Sequence, residues 1–372
     1  MYSIYCDGQL LYAPNVVETY PVSEAVLRQE LNRADSLTFK MYQNHPLYNS
    51  IDLMKSTLVV FDGNEPISIL RPIAKERDFY NNVKYTCEGC LAFFNDSIVP
   101  EYSYPGQYDG TIERYLQWLF ENHNAQVLSD RQLVYTHNSQ GKTIFDPGTI
   151  FDTNNYIVRA NTSYPDTWTE LCDKVLDLLG GYLIPKYQVA AGNAAEFWVE
   201  FRAESGATGG QIIQFNRNLI DFSEVIDRTD RYSRLVPLGA KPEGSESFLT
   251  IKSVNGGLLY LEDAGAVNLY GKITKTHVWE DVTQAANLKT KGQAELDSHV
   301  SKFPVSMTVN AADLSYLGVD DRFKIGQINQ VISEPHGINE PFRCSALQIV
   351  FDNLAKNVYT FGEVKGTLTR MI

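Results

Sequence analysis

The sequence predicts a β-rich α+β protein of several domains, and three observations support this. The 372 residues exceed what one hydrophobic core usually supports, which implies roughly two to four domains. Short alternating runs with hairpin signals between them crowd both ends of the chain, whereas helix-period patterns are confined to the middle and to one later insertion. Charged residues make up 21% and apolar ones 44%, a balance that suits buried cores and argues against long disordered stretches.

In the amino-terminal block, Leu37, Phe39 and Met41 alternate with polar neighbours, and Leu58-Val-Val-Phe61 is a short buried-type run. Asp62-Gly63 then marks a hairpin leading to Ile67-Ser-Ile-Leu70, and Val83 to Cys87 alternate again. Such strands build a small antiparallel barrel or sandwich.

Past residue 100 the pattern becomes mixed. Asp109 or Thr111 caps an expected helix through Asn122, whose Ile112, Tyr115, Leu116 and Leu119 share a face. Thr167-x-x-Glu170 reads as a capping box for a second helix, with Trp168, Leu171, Cys172, Val175, Leu176 and Leu179 on one side and Gly180-Gly181 at its end. Tyr182 to Ile184 and Phe197, Val199 and Phe201 read as strands, with Pro185 placing the first at an edge or bulge.

Further strand signals lie at Leu235 to Leu238, and Asn255-Gly256 suggests a hairpin between Leu249 to Ile251 and Leu258 to Leu261. A helix is expected from Asp281 to Val300, stopped by Pro304. Strand-like runs close the chain at Val305 to Val309, Phe323 to Ile325, Gln330 to Ile332 and Leu347 to Phe351.

The net charge of −13 argues against tight nucleic-acid binding, which needs Lys and Arg to displace phosphate counterions. It is compatible with a conduit that repels a passing duplex, although acidity for solubility alone is the commoner cause. No run approaches the about 18 apolar residues that span a bilayer, and the amino terminus lacks a basic region followed by an apolar core, so neither insertion nor signal-peptide export is expected of this chain. Five scattered cysteines, Cys6, Cys87, Cys90, Cys172 and Cys344, suit a reducing cytoplasm better than a disulfide framework.

Cys87-Glu-Gly-Cys90 has the spacing of half a zinc site or a redox pair. It lacks a second Cys pair or paired His, and an extended backbone sends residues 87 and 90 to opposite faces, so structural thiols are expected. The six histidines form no His-Glu-x-x-His helix and no Gly-x-Ser-x-Gly elbow occurs; His123 and His137 flank an expected turn and are the remaining candidates for catalysis. Gly180-Gly181, Gly209-Gly210 and Gly256-Gly257 match no phosphate loop, and Asp320-Asp321 and Glu262-Asp263 are adjacencies expected by accident among 45 acidic residues. Tyr102, Tyr104 and Tyr108 cluster as a protein interface or, less simply, a sugar-stacking platform. No catalytic, metal-binding or cofactor-binding residue is assigned, and no cofactor is expected.

The stretch Tyr85-Thr-Cys-Glu-Gly-Cys-Leu-Ala-Phe-Phe-Asn-Asp-Ser-Ile98 resembles the Cys-Glu-Gly-x-Leu-Ala-x-x-Asn-Asp-Ser signature of tail-tip proteins from siphophages and prophages of Gram-positive bacteria. Ala34-Asp-Ser-Leu-Thr-Phe39, Asn44-His-Pro-Leu-Tyr48, Lys75-Glu-Arg-Asp-Phe-Tyr-Asn81, Leu179-Gly-Gly-Tyr-Leu183, Ser233 to Ala240, Ser253-Val-Asn-Gly-Gly257 and Leu269-Tyr-Gly-Lys-Ile273 follow in the family's order. The family is the amino-terminal hub region of tail-associated proteins, the "prophage endopeptidase tail" proteins, similar to the baseplate hub of contractile-tailed phages. Its signature carries a non-cysteine residue at the position of Cys90, so the Cys pair is not a family site. The resemblance implies a strand at Ser23 to Asn32, where Ala25, Val26 and Leu31 otherwise partly fit a helix face.

On this resemblance the fold is baseplate-hub-like, with two antiparallel β-barrel tube-type domains and interspersed α+β domains. The expected division is 1–98 for the first barrel, 99–208 for an α+β domain, 209–245 plus 303–372 for the second barrel, and 246–302 for an inserted hairpin-plus-helix subdomain. The implied function is a homotrimeric structural hub of a tail tip, in the virion, assembled in the host cytoplasm and performing no chemistry. Three copies with two barrels each dock on a hexameric tube. The implied partners are the distal tail protein, the tape-measure protein, DNA passing without specific binding and, indirectly, the host cell wall. The alternatives are a tail-associated cell-wall endopeptidase, whose module would lie beyond Ile372, and a host-glycan-binding module.

Overall fold

The computed structural model describes residues 2–16, 19–103, 112–134, 145–146, 160–177, 180–189, 195–202, 209–226, 231–301, 305–318 and 322–362. The chain divides into two compact units, one made of Met1–Asp152, Arg159–Glu224 and Met307–Val364, the other of Thr153–Val158, Val225–Ser306 and Lys365–Ile372.

In the larger unit the amino-terminal strands are β1 (Tyr2–Cys6), β2 (Gln9–Tyr12), β3 (Val22–Glu30), β4 (Ser36–Met41), β5 (Leu58–Asp62), β6 (Glu65–Arg77) and β7 (Val83–Gly89). Next come β8 (Tyr102–Ser103), α1 (Ile112–Gln126), β9 (Phe145–Asp146), β10 (Ala160–Asn161), α2 (Thr167–Leu171), β11 (Tyr182–Val189) and β12 (Ala195–Arg202). The strands β13 (Ile213–Gln214) and β14 (Leu219–Ile226) precede the smaller unit, in which lie β15 (Arg234–Leu238), β16 (Leu261–Glu262), α3 (Ala264–Tyr270), β17 (Thr274–Val278) and α4 (Ala285–Ser301). The chain then adds β18 (Val305–Ala311), β19 (Ile328–Ser333), β20 (Ile338–Val350) and β21 (Val358–Gly362).

The β-rich α+β class read from the sequence is borne out. Among the described residues the two strand blocks join in one 13-stranded sheet, ordered β14-β18-β21-β20-β3-β4-β7-β6-β5-β1-β2, with β19 also on β20 and β13 on β19. The seam is β3 against β20, running from Ala346 opposite Glu30 to Val350 opposite Val26. Both edges of β3 are therefore hydrogen-bonded, to β20 and to β4, and this pairing overrides the helical composition of the segment. Glu24, at φ 54°, marks the register shift in β3 between Ser23 and Val26. Both blocks line one core, which takes Ile4, Leu27, Phe39, Leu58 and Cys87 from the first, and Ile213, Val331, Leu347 and Phe361 from the second.

The same sheet buries its other face where β5 and β6 pass. Leu58, Val60 and Leu70 enter the first core, and Val59 and Ile69 enter a second one with Phe93, Phe94, Tyr115, Leu119, Leu171 and Phe197. Burial on both faces explains why Leu58 to Phe61 is a continuous apolar run rather than an alternating one. Asp62 faces Glu65 across a two-residue turn in which Gly63 adopts φ 59°, the hairpin read from Asp62-Gly63. Among the described residues strand β11 pairs only with β12, in a three-stranded sheet, so Pro185 lies on an edge strand there, as expected.

Helix α1 buries Tyr115, Leu116, Leu119, Phe120 and His123, the face its spacing predicted; the expected caps Asp109 and Thr111 lie outside the described residues. The α2 start differs from the expected capping box. Asp166 is the N-cap, its carboxylate accepting from Thr169 N at 2.7 Å and Thr169 Oγ1 at 2.8 Å, and Thr167 is already helical. A π-type turn over Cys172–Leu176 follows the helix. Gly180 and Gly181 adopt positive φ just past it, as the chain turns into β11.

In the smaller unit β15 is central, antiparallel to β16 and parallel to β17, over a core of Leu235, Ile251, Leu261, Trp279, Val282, Leu288 and Leu296. The expected hairpin through Asn255-Gly256 does not form. Leu238 bridges Thr250 and Leu235 pairs with Leu261, so both arms go to β15 instead of to each other, and Lys252–Val254 is a 3-10 turn. Helix α4 starts at Ala285 rather than Asp281, and Asp281 instead pairs with Lys291 at 3.2 Å. Pro304 lies outside the described residues. The expected strand Phe323 to Ile325 is irregular; Phe323 packs on Tyr359 and Phe361 at 4.8 and 5.8 Å between ring centroids, and its backbone joins no ladder.

Candidate functional site

The most distinctive stretch, Cys87 to Ser97, lies where the sheet meets the helical layer. Strand β7 ends at Gly89, and Cys90–Asp96 form a 3-10 turn that buries Cys90, Leu91, Ala92, Phe93 and Phe94. Cys87 belongs to the core within the strand blocks and Cys90 to the core under the helices. The opposite facing expected of an extended backbone is what separates them. Burial pushes both thiols up, and among the described residues no group of His, Cys, Asp and Glu is placed to hold a metal ion.

Glu88, Asp96 and Ser97 of this stretch turn to partners inside this unit. Glu88 and Asp96 hold the buried Arg71 guanidinium, Glu88 Oε1 accepting from Nε at 2.8 Å and Asp96 Oδ1 from Nη2 at 2.9 Å. Arg71 and Arg131 stack over the Phe93 ring, at 5.0 and 4.7 Å from its centroid. Gly89 donates its N–H to the Asp35 carbonyl at 2.7 Å, and a Cβ there would lie 2.7 Å from Asp35 Cβ. Only glycine allows that approach.

Asp35 is itself buried, and its Oδ2 accepts from Ser68 Oγ at 2.6 Å, Gln29 Nε2 at 2.9 Å and Tyr187 OH at 3.1 Å. Burial raises its carboxyl to about 6, against the lowering effect of those three donors. Ser97 Oγ bridges His123 Nδ1 and Thr167 Oγ1, each at 2.7 Å. The His123 Nε2–H donates to the Arg131 carbonyl at 3.3 Å, so Nδ1 accepts from the Ser97 hydroxyl.

A serine beside a histidine would suit nucleophilic catalysis, but here both are sealed in. His123 is fully buried, and burial lowers it below the ordinary imidazole range, which keeps it neutral in its hydrogen-bonded slot. His137, Tyr104, Tyr108 and Asp320-Asp321 lie outside the described residues. Tyr102 is buried; its hydroxyl meets Tyr115 OH at 2.8 Å and Glu170, so it presents no sugar-stacking face. Glu262 pairs with Arg234 while Asp263 caps α3 by accepting from Ala266 N at 2.6 Å, so these neighbours do not act together.

Sequence reasoning overlooked Arg71, Asp35 and Glu170 as buried polar anchors. Arg71 had a signal, a lone cation within the apolar run Ile67 to Ile73, which requires carboxylate partners if the run is buried. Glu170 was read as part of a cap and instead accepts from Tyr102 and Tyr115. The arrangement as a whole joins two layers and presents no convergent reactive groups to solvent.

The fold is that of prophage tail proteins. The "43 kDa tail protein" of prophage MuSo2 from Shewanella oneidensis matches at a TM-score of 0.61 and 13% identity, over 98% of each chain. The tail protein of Neisseria meningitidis MC58 matches at 0.60 and 13%, over 97% of this chain and 96% of its own. Prophage tail protein gp18 of Listeria monocytogenes EGD-e matches at 0.52 and 15%, over 93% and 89%. Residues 207–372 match the prophage endopeptidase tail family. The resemblance read from the motif succession is thus borne out, while the three source organisms do not single out a Gram-positive host. No curated protein matches.

Proposed function

We propose that this chain is the structural hub of a phage or prophage tail tip, a trimeric ring that continues the tail tube, meets the host-facing tip and encloses or gates the DNA channel. The observation that carries the reading is fold coverage: the likeness to the Shewanella prophage tail protein runs over 98% of both chains. In this reading the block β1 to β7 and the block of β13, β14 and β18 to β21 act as two tube-type modules meeting at the β3–β20 seam, six around the axis of a trimer. The net charge of −13 is compatible with a channel wall that repels phosphate. The partners are the distal tail protein on one side and the end of the tape-measure protein within, and the location is the virion tail. Among the described residues no helix is long and apolar enough to cross a membrane.

The cell-wall endopeptidase reading draws on the family's description. His123 does not serve it, because no substrate reaches a fully buried ring. A peptidoglycan digestion assay is expected to give no activity that depends on His123. The decisive test of the hub is electron microscopy of the protein with its distal tail protein: class averages down the particle axis should show a threefold ring round a hollow centre. Particles that remain single copies under these conditions would end the reading.

A further inference from the structure

We infer that the tip of the β6–β7 hairpin is the contact by which one copy of this chain holds the next, an inference that rests on the ring reading and names its adhesive element. Beyond Ile73 the hairpin leaves the core: residues 73–77 on β6 are all exposed, and at the turn Phe79 is 93% and Tyr80 75% exposed. Their rings meet edge to face at 5.4 Å.

The turn is nonetheless held firmly. Asp78 Oδ1 accepts from Tyr80 N and Asn82 N, both at 2.9 Å, and its other oxygen takes Asn82 Nδ2 and Lys40 Nζ, both at 3.0 Å. Gln43 Nε2 donates to the Tyr80 carbonyl at 2.9 Å and Tyr48 OH to that of Asn81, which adopts φ 60°. The chain thus fixes the backbone of a loop whose two largest side chains stay largely exposed. Solvation alone gives no reason for this, because exposed aromatic surface is unfavourable in water. Preorganised aromatic anchors are what an interface uses to avoid an ordering cost on binding.

Charge identifies the occupant. The hairpin end carries Lys75, Arg77 and Lys84 against Glu76 and Asp78, a local positive excess on a chain whose total is −13. A second copy of the chain is therefore an acidic partner to it, and in a ring each copy offers its tip to the next until the ring closes. Two carboxylates among the cations disfavour the dense charge of a phosphate backbone, whereas an exposed aromatic pair with mixed charge beside it suits a protein face.

The test is sedimentation velocity over a range of concentrations for the wild type, Phe79→Ser/Tyr80→Ser and Lys75→Glu/Arg77→Glu, at low and high salt, with urea unfolding as a folding control. The wild type should assemble, and the aromatic double variant should need on the order of 100-fold more protein to do so while unfolding at an unchanged urea concentration. The charge-reversed variant should need about tenfold more, a difference that salt reduces. An aromatic variant that assembles like the wild type overturns the contact and leaves the ring standing, whereas a wild type that is monomeric at every concentration overturns both. Loss of DNA retention by the variant, with assembly unchanged, would assign the tip to nucleic acid and also overturn it.

Discussion

Replacing Asp35 by asparagine should remove a pH dependence that the wild-type fold carries. The carboxyl is buried and its folded value lies at about 6, against 3.8 when the chain is unfolded. Because the folded value is the higher one, the native state binds the extra proton between these limits, so its share of stability is fully present below about 3.8 and is lost as pH rises through about 6. A difference of roughly two units at 1.36 kcal/mol each makes that loss about 3 kcal/mol between pH 4 and 7. The amide introduced by Asp35→Asn is neutral throughout and keeps one carbonyl to accept from Ser68 and Gln29, so the variant's stability in this range should follow only the other titrating groups. The assay is urea unfolding by tryptophan fluorescence at several pH values, since Trp118, Trp168 and Trp198 lie in the same unit as Asp35. Subtracting the variant's profile from the wild type's cancels distant groups. Parallel profiles from pH 4 to 7 would refute the assignment of a proton to Asp35.

Three further outcomes test the joint at Cys87 to Ser97. Arg71→Met leaves Glu88 and Asp96 without their shared partner and uncovers one face of Phe93, and should cost about 3 kcal/mol in urea unfolding. Gly89→Ala drives a methyl against Asp35 Cβ at 2.7 Å and should cost about 1–3 kcal/mol, with the separation between β7 and the β3–β4 turn as the distance that must give; an unchanged urea midpoint contradicts the close approach. Cys6, Cys87, Cys90 and Cys344 are buried, so a thiol reagent should label the native protein at Cys172 first and the others only on unfolding. Zinc retained at one ion per chain after dialysis would contradict the separation of Cys87 from Cys90.

Much of the architecture was legible because it is local. Period-two alternation at Leu37 to Met41, the Asp62-Gly63 turn and the helical face of Tyr115, Leu116 and Leu119 depend on neighbours a few residues away, and the structure keeps them. The opposite placing of Cys87 and Cys90 followed from backbone geometry alone. The motif succession likewise pointed to prophage tail proteins without any coordinates.

What the sequence could not decide turns on partners far along the chain. Whether Ser23 to Glu30 becomes helix or strand depends on β20, more than 300 residues later, whose hydrogen bonds outweigh a weak local preference. Asn255-Gly256 is a sound turn signal, yet its flanks both found a better edge on β15 than on each other. Asp35 is an ordinary acidic residue in the sequence; only packing against Gly89 and Tyr187 removes its water and moves its titration. The sequence by itself therefore determined most element types, because these are set by short-range sterics and solvation, and its motif succession showed the likeness to prophage tail proteins. Tertiary structure decided which edges pair and which polar groups lose solvent, because those energies exist only once distant segments meet.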